Sequence, residues 1–222
     1  MKKLSMFLML VIAMAIAMPN SYAQELTKKQ HRKIEKEARK QAKKLEKKGW
    51  EVFGVSYSLE KALTKHYEKL EAGDAREMMG VASSFISKNV GKQAAMNGAI
   101  NDYARLAQSM VRGRVLSDLF SDGDDVPAEF DKFYAAYESM VVKEIKGELI
   151  PSFSIIRSKG MQDGKEVFEM RTFFVIDENE ASKARLRAME SAYRESNMAQ
   201  KYADKVSKFV SDGFNLESPS EE

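Results

Sequence analysis

Eleven lysine and arginine side chains lie between residues 28 and 48, the densest block of chemistry in this chain. They are Lys28, Lys29, Arg32, Lys33, Lys36, Arg39, Lys40, Lys43, Lys44, Lys47 and Lys48. Only Glu35, Glu37 and Glu46 dilute them, which leaves a local balance of +8. Cations in this pattern make many weak ion pairs at once; they do not make or break bonds. The block therefore points to anionic partners: lipid headgroups, lipopolysaccharide phosphates or an acidic cell-wall polymer. No aromatic residue interleaves the lysines, so no nucleic-acid partner is expected. The bland alternative is a solvated helix that spaces the body from a neighbour or aids solubility.

Covalent chemistry has little to work with. There is no cysteine and there are two histidines, His31 and His66. His31 lies within the basic block with nothing nearby to make it a ligand or base, and His66, beside Tyr67, is expected at the surface or half-buried. A nucleophile–histidine pair would need His66 and a distant serine. No nucleophile elbow, phosphate-binding glycine loop or His-Glu-x-x-His pattern occurs. Gly91, Gly98 and Gly113 are too dispersed to cradle a phosphate. Asp118, Asp122, Asp124 and Asp125 lack the order and distal glutamate of a calcium loop, and read as a turn with capping aspartates. Glu169 and Arg171 read as an outward strand pair. Asp177, Glu178 and Glu180 read as charges at a helix start. No catalytic residue, metal ligand or cofactor is assigned, and the chain is read as non-enzymatic.

The elements that carry these groups begin with an export signal. Lys2 and Lys3 precede an apolar run from Leu4 to Met18, broken by Pro19-Asn20. Ser21-Tyr22-Ala23 then places small residues three and one before a cut ahead of Gln24, the layout of a signal peptide over 1–23. The expected location is the periplasm or the outer membrane. An exported chain without cysteine has no disulfide and no lipidation cysteine, so packing alone must hold it together. Hydrophobic residues at 44% and charged residues at 31% fit a globular domain of that kind. Outside the signal and the basic block stand 23 basic and 30 acidic residues, so a positive arm joins a negative body.

Ile34, Ala38, Ala42 and Leu45 form a narrow apolar stripe in a basic helical arm at 24–49. Gly49 ends it, and Trp50 leads an aromatic connector with Val52, Phe53, Val55 and Tyr57. Trp50 is expected to pack on the body. Ser58 caps a helix to about Ala72. Residues 76–85 read as a strand with Met79, Val81 and Phe85 on one face, and 90–120 as a long helix with a small-residue side. A further helix spans about 128–145. Strands at 149–157 and 166–176 are joined through Ser158–Gly164. Asp177–Asn179 caps one long helix to about Val210, and the tail at 215–222 reads as disordered. The fold class is α+β: a small, mainly antiparallel, three-stranded sheet packed on long helices, in a body spanning 50–214.

Two segments carry a resemblance. Lys48-Gly49-Trp50-Glu51-Val52 is similar to the start of a common class of Gram-negative envelope proteins. The strand at 76–85 with Ala95, Ala99, Asp102, Ala104, Arg105, Leu106 and Ala107 resembles the lipoprotein-twenty-type family of small surface proteins. The resemblance covers about half the chain and implies a small sheet on a long helix at the cell envelope. It brings no catalytic residues, and this chain lacks the lipidated cysteine. The resulting expectation is an exported protein-interaction or structural module. Its partner is another envelope protein, or a second copy bound through the small-residue helix and the sheet edge. The alternative is a module that binds anionic envelope surfaces or glycans through the arm.

Overall fold

The computed structural model describes residues 26–120, 128–195 and 197–212. The expected signal peptide, Asp122, Asp124 and Asp125 of the acidic stretch, and the tail at 215–222 lie outside the described residues.

Helix α1, Lys28–Glu46, starts on a full capping box in which the Thr27 hydroxyl and the Gln30 side chain each accept the other's backbone N–H. Gly49, at φ +77°, reverses the chain so that the Trp50 N–H reaches the Leu45 carbonyl at 3.1 Å. Strand β1, Glu51–Phe53, follows, and then helix α2, Leu59–Glu71, capped by Ser58. Strand β2, Ala75–Phe85, leads into the long helix α3, Lys88–Leu119. Helix α4 is Glu129–Ile145. Strands β3, Ile150–Gln162, and β4, Lys165–Asp177, form a hairpin whose turn residues Asp163 and Gly164 have φ of 51° and 74°. Two positive φ values in a two-residue loop match the twist of the strands, so the hairpin closes tightly and later than expected. Asp177 accepts the N–H groups of Asn179 and Glu180 and starts helix α5, Glu178–Ala192. A single 3-10 turn at Tyr193–Glu195, helix α6, Asn197–Lys201, and helix α7, Ala203–Asp212, complete the described chain.

The sheet has four antiparallel strands in the order β1-β3-β4-β2, not three. The added strand comes from the aromatic connector: Val52 lies opposite Ile155. Three residues are too few to show a period-two pattern, so the partner strand defines β1. The α+β class stands. At Pro151 the β3–β4 register shifts, as a residue without an N–H requires.

One face of the sheet carries Met78, Gly80 and Ala82 of β2 opposite Phe174, Thr172 and Met170 of β4. Helix α3 lies directly on it. A Cβ on Gly80 would fall 1.8 Å from the Ala95 carbonyl oxygen, and one on Gly91 would fall 2.3 Å from the Phe85 ring. The face expected to be shared by Met79, Val81 and Phe85 is thus split. Met79 and Val81 point away from α3 and are 37% and 43% exposed, while a bulge between Ala82 and Phe85 returns Phe85 to the α3 side. The inward residues are small because the helix backbone sits so close.

The main core continues past the sheet, where Val111 and Val115 of α3 meet Phe130, Phe133 and Tyr137 of α4. The expected single C-terminal helix is broken. Helix α7 folds back along α5, where Ser182 Oγ donates to the Ser211 carbonyl at 3.1 Å. A straight continuation would carry Val206, Phe209 and Val210 past the end of the core; turning back buries all three.

Gly80→Ala is expected to destabilise the protein by about 2–3 kcal/mol in chemical denaturation, since a backbone carbonyl must move to admit one methyl. Gly98→Ala, whose nearest neighbour is 3.7 Å from the new carbon, is expected to be neutral or stabilising by up to about 1 kcal/mol. Equal effects at the two sites would contradict the packing described.

Candidate functional site

Helix α1 lies antiparallel on α2 instead of projecting from the body. Gln30 bonds to Glu71, His31 Nδ1 lies 3.1 Å from Glu68 Oε1, and Arg39 reaches Glu60 at 3.8 Å. The expected stripe of Ile34, Ala38, Ala42 and Leu45 is buried. Its Ala38, Ala42 and Leu45 close a second core with Trp50, Leu59, Ala62, Leu63, Phe153 and Ile155. The two alanines let the helices approach closely, while Ile34 and Leu45 supply the apolar area.

That docking fixes the rotation of α1. At about 100° per residue, Lys29, Lys33, Lys36, Lys40, Lys43 and Lys47 all lie within about 40° of the direction opposite Ala38. All six are exposed. No carboxylate of α1 falls in that sector: Glu35, Glu37 and Glu46 sit on the flanks. Among the described residues none of the six lysines forms an ion pair. The result is a straight cationic ridge about 28 Å long. Arg32, Lys36 and Arg39 also line a groove of about 610 Å³ with Lys61, Ser58 and Thr64, tempered by Glu35 and Glu60. Lys33 borders a smaller groove of about 310 Å³ on the other side, with Ile34, Tyr67 and Leu70. Lys28, Lys44 and Lys48 stand on the flanks of the ridge.

Three buried polar groups escape sequence reasoning. His66 is fully buried, not superficial, with Nε2 2.6 Å from Glu77 Oε2. A carboxylate only accepts, so Nε2 carries a proton. The ring lies against Phe153 and Phe173, whose own rings stack at 4.5 Å, and ties α2 to β2. Nothing in a lone histidine on an amphipathic helix signals this partner on a later strand.

Glu169 is likewise buried, not an outward group. It accepts from Arg157 Nη2 at 2.6 Å and lies 3.6 Å from Arg171 Nη2. Both guanidinium groups stack on Trp50, at 4.8 and 4.7 Å from its ring. Trp50 is thus pinned to β3 and β4 by cation–π contacts as well as by burial.

Arg185 is 1% exposed. Its Nη1 lies 2.8 Å from Glu178 Oε1 and donates to the Tyr103 hydroxyl, while its Nε donates to the Val210 carbonyl at 3.3 Å. Glu178 also faces Arg76 at 3.7 Å. One ion network therefore joins β2, α3, α5 and α7. The spacing of Glu178 and Arg185, seven apart on a stripe with Ala181 and Ala188, was the available signal.

None of these groups places a nucleophile beside a base, and each is occupied in holding elements together. Among the described residues no cluster of three His, Cys, Asp or Glu is placed to hold a metal ion. Asp118, the described member of the acidic stretch, lies 3.5 Å from Arg114 on its own helix. No helix among the described residues is long and apolar enough to cross a membrane. Comparison with protein-family models, curated proteins and solved structures gives no match.

Burial, the largest cause in each case, pushes the Tyr103 and Tyr134 hydroxyls up to about 12, while Arg185 and Arg112 respectively pull the other way. A folded value above the unfolded one of about 10 means that this stability is intact below pH 10 and is lost as pH rises toward 12. The expected outcome is cooperative alkaline unfolding in that window, with tyrosinate absorbance of the buried rings appearing together with loss of near-ultraviolet circular dichroism. Smooth ionisation of every tyrosine near pH 10 in a folded protein would contradict it.

Proposed function

We propose that this chain is an exported, non-enzymatic module that docks on anionic envelope surfaces through the outer ridge of α1. The chemistry it recognises is a dense array of phosphates or carboxylates, as on lipid headgroups, lipopolysaccharide or acidic cell-wall polymers. One observation carries the reading: six lysines aligned on a helix whose rotation is fixed by docking, with no carboxylate among them. Consecutive lysines in the row are three or four residues apart, where like charges cost a helix about 0.2–0.5 kcal/mol per pair. The row is thus a local liability, which selection tolerates where it serves a surface. The signal-peptide layout of residues 1–23 supports export.

The other expectation, a protein-interaction or structural module bound to an envelope protein or to a second copy, loses the small-residue seam expected for self-association. The small-residue side of α3, with Ala95 and Ala99 fully buried, is consumed by β2 within the chain. Two sheet edges remain, but β1 has three residues and β2 is bulged, with Ser84 at φ +59°, both of which disfavour strand addition.

Removing α1 would not test the proposal, because it would uncover Leu59, Ala62 and Leu63. Charge neutralisation is the cleaner test. A lysine near an anionic surface contributes about 1 kcal/mol at moderate salt, so Lys36, Lys40 and Lys43→Gln together should weaken binding to anionic vesicles or polyphosphate roughly 100-fold. The melting temperature should hold or rise, because repulsion along the helix is relieved. Added salt should weaken the parent more steeply than the variant, which keeps fewer cations on the ridge. Equal binding by parent and variant would sink the proposal.

A further inference from the structure

The hairpin end of the sheet has a surface of different composition from the ridge. There the end of β2, the start of α3 and the β3–β4 turn come together, as Phe85 lies opposite Phe168 and their rings are 6.3 Å apart. Lys159 Nζ of β3 reaches Ser84 Oγ of β2 at 3.4 Å across that end. Three large apolar side chains stand out from it: Ile86 at 55%, Val90 at 62% and Met161 at 69% exposed. Ile86 precedes the Ser87 cap, where an apolar residue ordinarily packs against the fourth helical position. That position is Gly91, which is covered by Phe85 and offers Ile86 no side chain.

Lysines surround these three residues. Lys88, whose Nζ sits 4.7 Å from the Phe168 ring centre, is exposed, and so are Lys92, Lys159 and Lys165. Between Met78 and Asn101 the chain has two lysines and no carboxylate, and Asp163 and Glu166 are the acids of the turn. The β1–β3 register adds to this. Glu51 lies opposite Ile156 in an antiparallel pair, so Lys47 and Lys48, just before it, lie toward the same end.

Apolar side chains ringed by lysines match one kind of partner: a bilayer whose headgroups are anionic and whose acyl boundary accepts side chains. A soluble polyanion would use the lysines and leave Ile86, Val90 and Met161 in water. A second copy of the chain would have to bring four lysines against their equivalents. We infer that the hairpin end inserts shallowly into an anionic lipid surface, with Ile86, Val90 and Met161 entering the headgroup–acyl boundary and Lys88, Lys92, Lys159 and Lys165 on the phosphates. This goes beyond the ridge, which needs charge alone.

The test uses the chain from Gln24 onward, which holds every described element. Because the protein has no cysteine, Val90→Cys takes one environment-sensitive dye, and Ser191→Cys, at an exposed position of α5, provides the control. The dye at position 90 is expected to shift to the blue and brighten on vesicles of phosphatidylglycerol in phosphatidylcholine, and the dye at 191 to stay unchanged. Ile86, Val90 and Met161→Ser together should partition about tenfold more weakly into those vesicles. The same variant should keep parental binding to polyphosphate and a parental circular dichroism spectrum. No shift at 90 on bound protein, or undiminished partition of the serine variant, would overturn the inference. So would an equal response to pure phosphatidylcholine, which removes the anionic part, or a concentration-dependent shift without vesicles, which assigns the patch to a second copy. Failure of the ridge shows separately, as polyphosphate binding that survives the Lys36, Lys40 and Lys43→Gln change.

Discussion

Four side chains on one stripe of α1 decide where every lysine on that helix points. Ile34 and Leu45 each contribute on the order of 2 kcal/mol by leaving water, and Ala38 and Ala42 let the α2 backbone come close. Repulsion among the lysines costs roughly 1–2 kcal/mol over the whole row, so docking wins. The helix then has one rotational setting, and its charges become a ridge. Without the stripe the same residues would form a fluctuating cation cloud with no preferred face.

The contact depends in turn on Trp50. Gly49 turns the chain, Trp50 drops into the second core, and Arg157 and Arg171 cover its ring while Glu169 balances their charge. On the opposite side of the sheet the corresponding role belongs to the close approach of Gly80 and Ala95 and to the buried network around Arg185. Such networks are weak sources of net stability, but removing one partner strands a charge, which makes the arrangement hard to vary piecemeal. The chain has no disulfide, so these polar ties and two apolar cores hold the described fold.

Much of this was legible in the sequence where side chains are large and periodic. The aromatic stripe of α4, the alternation of Phe168, Met170, Phe174 and Ile176 in β4, and the Ile34–Leu45 stripe of α1 all declare the buried face directly. What stayed hidden depends on partners distant in sequence or on residues too small to register. Strand β1 exists because β3 lies beside it. The buried face of β2 is its small one, Gly80 and Ala82, so large-residue periodicity selects the wrong side. His66 and Arg185 are buried because Glu77, Glu178 and Tyr103 wait for them. The break before α7 follows from core geometry that no local residue encodes. For the site, the eleven cations were plain from composition, but which six form the ridge required the rotation of the helix.

Lysine reactivity reads the orientation of α1 and the use of its ridge. The rate of reductive methylation at each lysine can be compared in free protein and in protein saturated with polyphosphate. Slowing is expected at Lys29, Lys33, Lys36, Lys40, Lys43 and Lys47, with Lys132, Lys146 and Lys201 on the remote helices unchanged. Uniform slowing across the surface, or protection confined to the remote lysines, would contradict it.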